Sequence, residues 1–280
     1  MIILKQHYKQ LQGKNKKLNP VMIKKDLILS YILQEIAVEN KQLIFKGGTC
    51  LSKCYLNYHR LSEDLDFTLN IIDLSKKERR NYIKQHILPL LTKIANKYSL
   101  DFESKEFDGV GNRYCPVKQN NKLFKFLIYS NKEDENPIKI EISIDELLVT
   151  KPKIIEIKHI MDSKYVLFPL LKTNILAYSL EEIIYEKVRA ILTRDYIQER
   201  DIFDLYQINK LLKINVIDES GFLKKLRNVR SERFLERLKK LEEFKLFDEI
   251  ETMALVEIDK KEYLTFFEEL KKLITKIVIN

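Results

Sequence analysis

Hydrophobic residues in this chain follow two regimes. Up to about residue 158 they come in short runs or alternate with polar residues; beyond residue 179 they recur at the three-to-four spacing of amphipathic helices. A first helix opens at Asn19-Pro20, with Asn as cap, Pro in the first turn, and Val21, Leu27, Ile28, Tyr31, Ile32 and Ile36 on its apolar side. The pattern then predicts a strand over 42–46, a helix over 49–58, a strand over 62–69 and a long amphipathic helix over 75–98. Ser75 and Glu78 open the long helix as a capping box. Strands follow over 100–107, 123–129, 138–144 and 154–158, separated by Gly, Asn and Pro. The stretch from Ile138 to Asp145 has strict period two, with four isoleucines on one side and Lys139, Glu141, Ser143 and Asp145 on the other. Helices are predicted over 179–194, 199–212, 219–229, 231–241 and 248–277. Glycine almost vanishes in this last part, and a boundary falls near 170–178. The chain therefore reads as an α/β (α+β) part over 1–172 and a helical part over 173–280.

Composition narrows the classes. With 45% hydrophobic and 32% charged residues, the chain can bury a core and is globular. The formal charge of +9 favours a polyanionic partner slightly; an ordinary basic surface is the plainer alternative. Residues 1–20 carry five lysines and no acid, which reads as a solvated arm. Three cysteines without a CxxC pair argue against a disulfide scaffold or a zinc site. No signal peptide and no membrane span are visible, so a cytoplasmic location is expected.

The chemistry concentrates in two neighbouring segments. Phe45-Lys46-Gly47-Gly48-Thr49-Cys50-Leu51 reads as a strand, a glycine turn and a helix start; Ser62-Glu63-Asp64-Leu65-Asp66-Phe67 reads as a second strand. Alternation puts Asp64 and Asp66 on one face, where two carboxylates repel unless a cation sits between them. Mg²⁺ (or Mn²⁺) is the usual answer when the partner is a phosphate. A helix-opening glycine turn offers N–H groups to phosphate oxygens, with Lys46 and the Thr49 hydroxyl beside it. A lone D-x-D is weak, and an ordinary turn would explain Gly-Gly-Thr by itself. Glu141 would complete a set of three carboxylates if its strand lies beside that of Asp64 and Asp66; Asp145, on the same face, competes for that place. Downstream, Lys187 and Arg194 are seven apart on one predicted helix face and form a cationic stripe suited to phosphates. Without other evidence, a solvated face with local ion pairs, such as Arg200 with Asp204, is the better reading of these residues. Among the histidines, His59 reads as a loop residue without a role.

These segments, with Arg60-Leu61 ahead of Ser62 and with Glu186-Lys187-Val188-Arg189-Ala190, Arg194 and Arg200-Asp201-Ile202-Phe203-Asp204-Leu205 downstream, resemble the motifs of the AbiEii/AbiGii toxin family, a branch of the nucleotidyltransferase superfamily related to DNA polymerase β. The resemblance runs in order from about residue 20 to 210 and leaves the last 70 residues without a counterpart. It implies a nucleotidyltransferase-like mixed twisted sheet flanked by helices, then a helical domain that completes the active-site cleft. Gly47 and Gly48 would be the superfamily's glycine pair, and Thr49 would stand where many relatives have serine. Asp64, Asp66 and Glu141 would be the metal ligands, Glu141 at a place where aspartate is commoner. Lys187 would be the downstream phosphate-contacting lysine, and Asp204 or Asp201 the last acidic motif. With Ser62 and Arg194 these make up the expected nucleotide site. The implied activity is transfer of a nucleoside monophosphate from an NTP to an acceptor hydroxyl, RNA and tRNA first among candidates, by the toxin of a toxin–antitoxin or phage-defence system with a cognate antitoxin. A small-molecule or protein acceptor, a metal-dependent glycosyltransferase and a catalytically inactive nucleic-acid-binding module are the alternatives.

Overall fold

The computed structural model describes residues 17–18, 20–71, 73–104, 123–129, 137–160, 170–213, 219–226, 231–247 and 249–279. The contacts divide the chain into two compact units. The first comprises residues 1–54, 62–146 and 152–177, the second residues 55–61, 147–151 and 178–280.

The first unit is a seven-stranded mixed sheet with helices. Its strands are β1 (Leu43–Lys46), β2 (Leu65–Leu69), β3 (Asp101–Ser104), β4 (Leu123–Tyr129), β5 (Ile138–Ser143), β6 (Lys153–Glu156) and β7 (Asn174–Ala177), in the order β3-β4-β5-β2-β1-β7-β6. At the centre, β2 is antiparallel to β1 and parallel to β5. The alternation read in β5 is realised: Ile138, Ile140, Ile142 and Ile144 are buried while Lys139 is exposed. Phe45 and Phe67, register partners on β1 and β2, lie in the same apolar layer with ring centroids 5.4 Å apart.

Helix α1 (Pro20–Glu39) is buried on every side in its middle: residues 27 to 34 are all buried, the polar Ser30 and Gln34 included. Val21 is exposed, against its assignment to the apolar side. Helix α2 starts at Gly47 (Gly47–Cys50) and continues as a π-helical turn, Leu51–Tyr55. Helix α3 covers 76–97 and carries the expected capping box: Glu78 N–H donates to Ser75 Oγ at 3.3 Å, and Ser75 N–H to Glu78 Oε2 at 2.8 Å. Its middle, Ile83–Ile87, is a π-turn just before Pro89. Proline offers no N–H to the preceding turn, so the ladder shifts register there. Tyr31 of α1 stacks on Tyr98 after α3 at 4.6 Å, and Glu35 accepts from Lys97 and from the Tyr98 hydroxyl, joining the two helices.

The second unit is helical: α4 (Leu180–Thr193), α5 (Glu199–Leu211), α6 (Glu219–Leu226), α7 (Ser231–Glu243), α8 (Ile250–Met253) and α9 (Lys260–Ile279). Ser179 caps α4 by accepting from Glu182 N–H. Phe203 and Tyr206 of α5 pack against Tyr263 of α9, whose ring also meets Phe247. The expected continuous helix over 248–277 is two helices. Ala254 forms a bridge with Arg60, Leu61 N–H donates to Met253 O and Leu255 N–H to His59 O, so the chain is extended there and cannot be helical. Strand β7 falls in residues expected to form a boundary.

Candidate active site

The acid-bearing strand is shorter than expected. It starts at Leu65, so Asp66 is in the strand and Asp64 just ahead of it. Asp64 is held from behind. The Thr49 hydroxyl donates to the Asp64 carbonyl at 2.5 Å and lies 2.7 Å from Ser62 Oγ, from which it can accept. Thr49 is buried, and its hydroxyl positions the Asp64 segment in this structure.

Gly47 is the one position of the turn where the backbone demands glycine. Its φ is +80°, and a Cβ there would stand 2.2 Å from Asp66 Oδ2. The Asp66 carboxylate therefore lies directly against the turn that opens α2. Lys46 before it is extended and gives α2 no side-chain cap.

Register brings the third carboxylate alongside. Asp66 on β2 is the partner of Glu141 on β5, so both lie on the same sheet face. Asp145 lies beyond the end of β5, with its carboxylate 2.8 Å from Lys76 Nζ. Lys46 Nζ donates to Ser143 Oγ at 3.1 Å and lies 3.5 Å from Glu146. Asp64 and Glu141 have lysine partners, Lys139 and Lys125. The donor set of hard carboxylate oxygens suits a divalent cation such as Mg²⁺, and the Asp66–Gly47 approach forms one wall of a cradle. Among the described residues, no three acidic, cysteine or histidine side chains converge on one point.

Lys187, Arg194 and Asp204 come together in the helical unit, with partners the sequence did not suggest. Asp204 is fully buried; its Oδ1 takes Arg60 Nε at 2.6 Å and His59 Nε2 at 2.7 Å, its Oδ2 Arg60 Nη2 at 2.7 Å and Lys187 Nζ at 2.6 Å. Asp201, almost as buried, takes Lys187 Nζ at 2.6 Å and pairs with Arg194, which also donates to Gln198. The expected Arg200–Asp204 pair does not form: Arg200 donates to Gln198 instead, because Arg60 and Lys187 already fill the Asp204 oxygens. Burial alone would raise the Asp204 carboxyl; Arg60 and then Lys187 outweigh it and hold the group well below the usual carboxylate range. Burial also pushes His59 down, so its ring stays neutral and Nε2 carries the proton shared with Asp204. A second buried cluster centres on Lys225, whose ammonium meets Glu182 at 2.7 Å and Glu186 at 2.5 Å. Glu182 Oε2 accepts in turn from Val149 N–H, Thr150 N–H and the Thr150 hydroxyl.

Arg60 and His59 are the residues the sequence reading missed. His59 passed for a loop residue, although Arg60 stands directly beside the acid motif. The only signal available was the guanidinium next to the motif, because Arg200 stands four residues before Asp204 as a ready local partner. Cys50 and Cys54 are buried thiols outside any disulfide; Cys115 and the basic arm up to Lys16 lie outside the described residues.

A glycine-opened helix, Asp66 on β2 and Glu141 in register with it on β5 thus lie together on one mixed sheet. The chain belongs to the nucleotidyl transferase AbiEii toxin family of type IV toxin–antitoxin systems, whose sequence pattern matches residues 31–276. It is thus a nucleotidyltransferase. Its fold is similar to that of MenT4, a nucleotidyltransferase toxin of Mycobacterium tuberculosis, with a TM-score of 0.56 at 16% identity over 91% of this chain and 86% of that one. It is also similar to a candidate nucleotidyltransferase from H. pylori, with a TM-score of 0.50 at 18% identity over 93% and 97% of the two chains. Among curated proteins, none matches the chain. No helix among the described residues is long and apolar enough to cross a membrane.

Proposed function

We propose that the protein transfers a nucleoside monophosphate from an NTP to a hydroxyl of RNA, tRNA being the first candidate, as the toxin of a pair with a cognate antitoxin. The acceptor oxygen bonds to the α-phosphorus, the bond to the β-phosphate oxygen breaks, and pyrophosphate leaves. Asp64, Asp66 and Glu141 would hold Mg²⁺ or Mn²⁺, which would offset triphosphate charge and acidify the acceptor hydroxyl. Glu141 is the carboxylate assigned to take the acceptor's proton. Lys46, the amides after Gly47 and the Ser62 side chain are assigned to the phosphates. The single observation that carries the reading is the Asp66–Glu141 register, with Asp66 pressed against Gly47. The net charge of +9 supports a polyanionic acceptor.

Lys187 and Arg194 are also assigned to phosphate contacts. Both already face Asp201, and Lys187 also faces Asp204, so a Lys187→Met variant decides between two roles. Weaker nucleotide binding at unchanged stability supports phosphate contact; lost stability alone makes Lys187 an anchor of the helical unit.

The direct test is incubation with total RNA and each α-labelled NTP in turn, with and without Mg²⁺. Metal-dependent labelling of RNA that disappears in Asp66→Asn is expected. Labelling that survives in a folded Asp66→Asn protein would overturn the assignment. Label found only on small molecules or protein would move the acceptor to another class.

A further inference from the structure

One register row crosses four strands of the sheet. Lys46 on β1 faces Asp66 on β2, Asp66 faces Glu141 on β5, and Glu141 faces Lys125 on β4. The row reads plus, minus, minus, plus. Like charges directly opposite one another destabilise a sheet, and a lysine at each end offsets that. Lys125 Nζ lies 3.0 Å from Glu141 Oε1. Lys139, two residues before Glu141 and so on the same face, lies 3.6 Å from Asp64 Oδ2. Two of the three carboxylates thus each have a lysine beside them.

These pairs share the wetness of the protein's surface lysine pairs and differ from its buried ones. Lys53 and Lys225 are buried and surrounded by fixed acceptors. Lys125 and Lys139 keep 24% and 46% of their side chains in solvent, and their acids 31% and 45%. An ion pair that wet is worth a factor of about two to five in an equilibrium constant, so it is readily exchanged. A lysine ammonium is a point charge on a flexible stem and suits a phosphate oxygen as well as a carboxylate.

We infer that Lys125 and Lys139 are exchangeable counter-ions: they hold Glu141 and Asp64 while no divalent cation is bound, and become contacts to the nucleotide's phosphates once displaced. The inference rests on the reading of Asp64, Asp66 and Glu141 as the metal-binding set. It adds two nucleotide-binding residues that no family motif singled out.

The exchange predicts opposite signs for two affinities. Mn²⁺ binding is followed by the electron paramagnetic resonance signal of the free ion. Binding of α,β-methylene analogues of the four NTPs is followed calorimetrically in saturating Mn²⁺. The proteins are wild type, Lys125→Met, Lys139→Met and Asp66→Asn, each checked for fold by circular dichroism; methionine keeps the length of the lysine stem. Each lysine variant should bind Mn²⁺ about two to five times more tightly, because a competitor is gone. Each should bind the preferred nucleotide analogue at least about three times more weakly, because a phosphate contact is gone. Lysine variants that bind Mn²⁺ no better than wild type, or bind the nucleotide equally well, overturn the inference. Mn²⁺ binding unchanged in Asp66→Asn overturns the metal assignment beneath it, so the two failures are told apart.

Discussion

The protein handles its carboxylates in two contrasting ways. On the sheet, Asp64 and Glu141 are partly exposed and each faces a partly exposed lysine. In the helical unit, Asp204 and Asp201 are buried and held by Arg60, His59, Lys187 and Arg194. The first arrangement can change partners cheaply, because water stands ready to solvate either charge. The second changes partners only at a much larger cost, because a buried carboxylate that loses its partner has no water to replace it. A carboxylate meant to bind and release ligands needs the first environment, and one that fixes a chain segment needs the second. The presence of an acid in a motif therefore says less about its role than the burial of its partners.

The largest test of this contrast is Asp204→Ala. It would strand Arg60 and Lys187 in the interior, and we expect about 3–5 kcal/mol of stability to be lost, read from urea denaturation. A loss below about 1 kcal/mol would place Asp204 with the exchangeable acids. Asp66→Asn should do the reverse: transfer drops at least about 100-fold while the urea midpoint stays near that of wild type. Gly221→Ala probes the helical unit without touching charge. A Cβ there would stand 2.2 Å from the Tyr185 ring, which packs edge-on against Phe222, and overpacking of this kind costs about 1–3 kcal/mol. Urea denaturation reads this loss as well, and a neutral outcome would mean that Tyr185 can move aside.

The smallest effect is that of pH. His59 is held neutral with a depressed folded-state value, so its contribution is complete above the unfolded value near 6.5 and is lost as pH falls through the folded one. Asp204 follows the same direction at lower pH: its contribution is complete above the unfolded carboxylate value and lost as pH falls toward its depressed folded value. Urea midpoints should therefore decline between pH 7 and 5, and His59→Gln should flatten that decline. A wild-type midpoint that rises over this range would contradict a neutral His59.

Much of the sheet was legible because its cause is local. The four isoleucines of β5 alternate without a break, and Ser75 with Glu78 announces the start of α3. The pairing of Asp66 with Glu141 depends on strand order, which alternation alone cannot supply. What escaped had tertiary causes. Strand β7 is four residues long and has no alternation to report it. The break between α8 and α9 carries no Gly or Pro; pairing with residues 59–61, far away in sequence, imposes the extended backbone. The restart at α9 was readable, since Asp259 accepts from Glu262 N–H as a helix cap would. Arg60 and Asp204 stand more than a hundred positions apart, and no period links them.

The helical unit is assembled from three separate lengths of polypeptide. A fragment beginning at Tyr178 would carry every one of its helices and still lack Arg60 and Thr150, so that Asp204 and Glu182 would each be missing groups that satisfy them. Excision along the obvious seam should thus yield an insoluble or molten product, whereas a circular permutant that retains both inserted loops should mature normally.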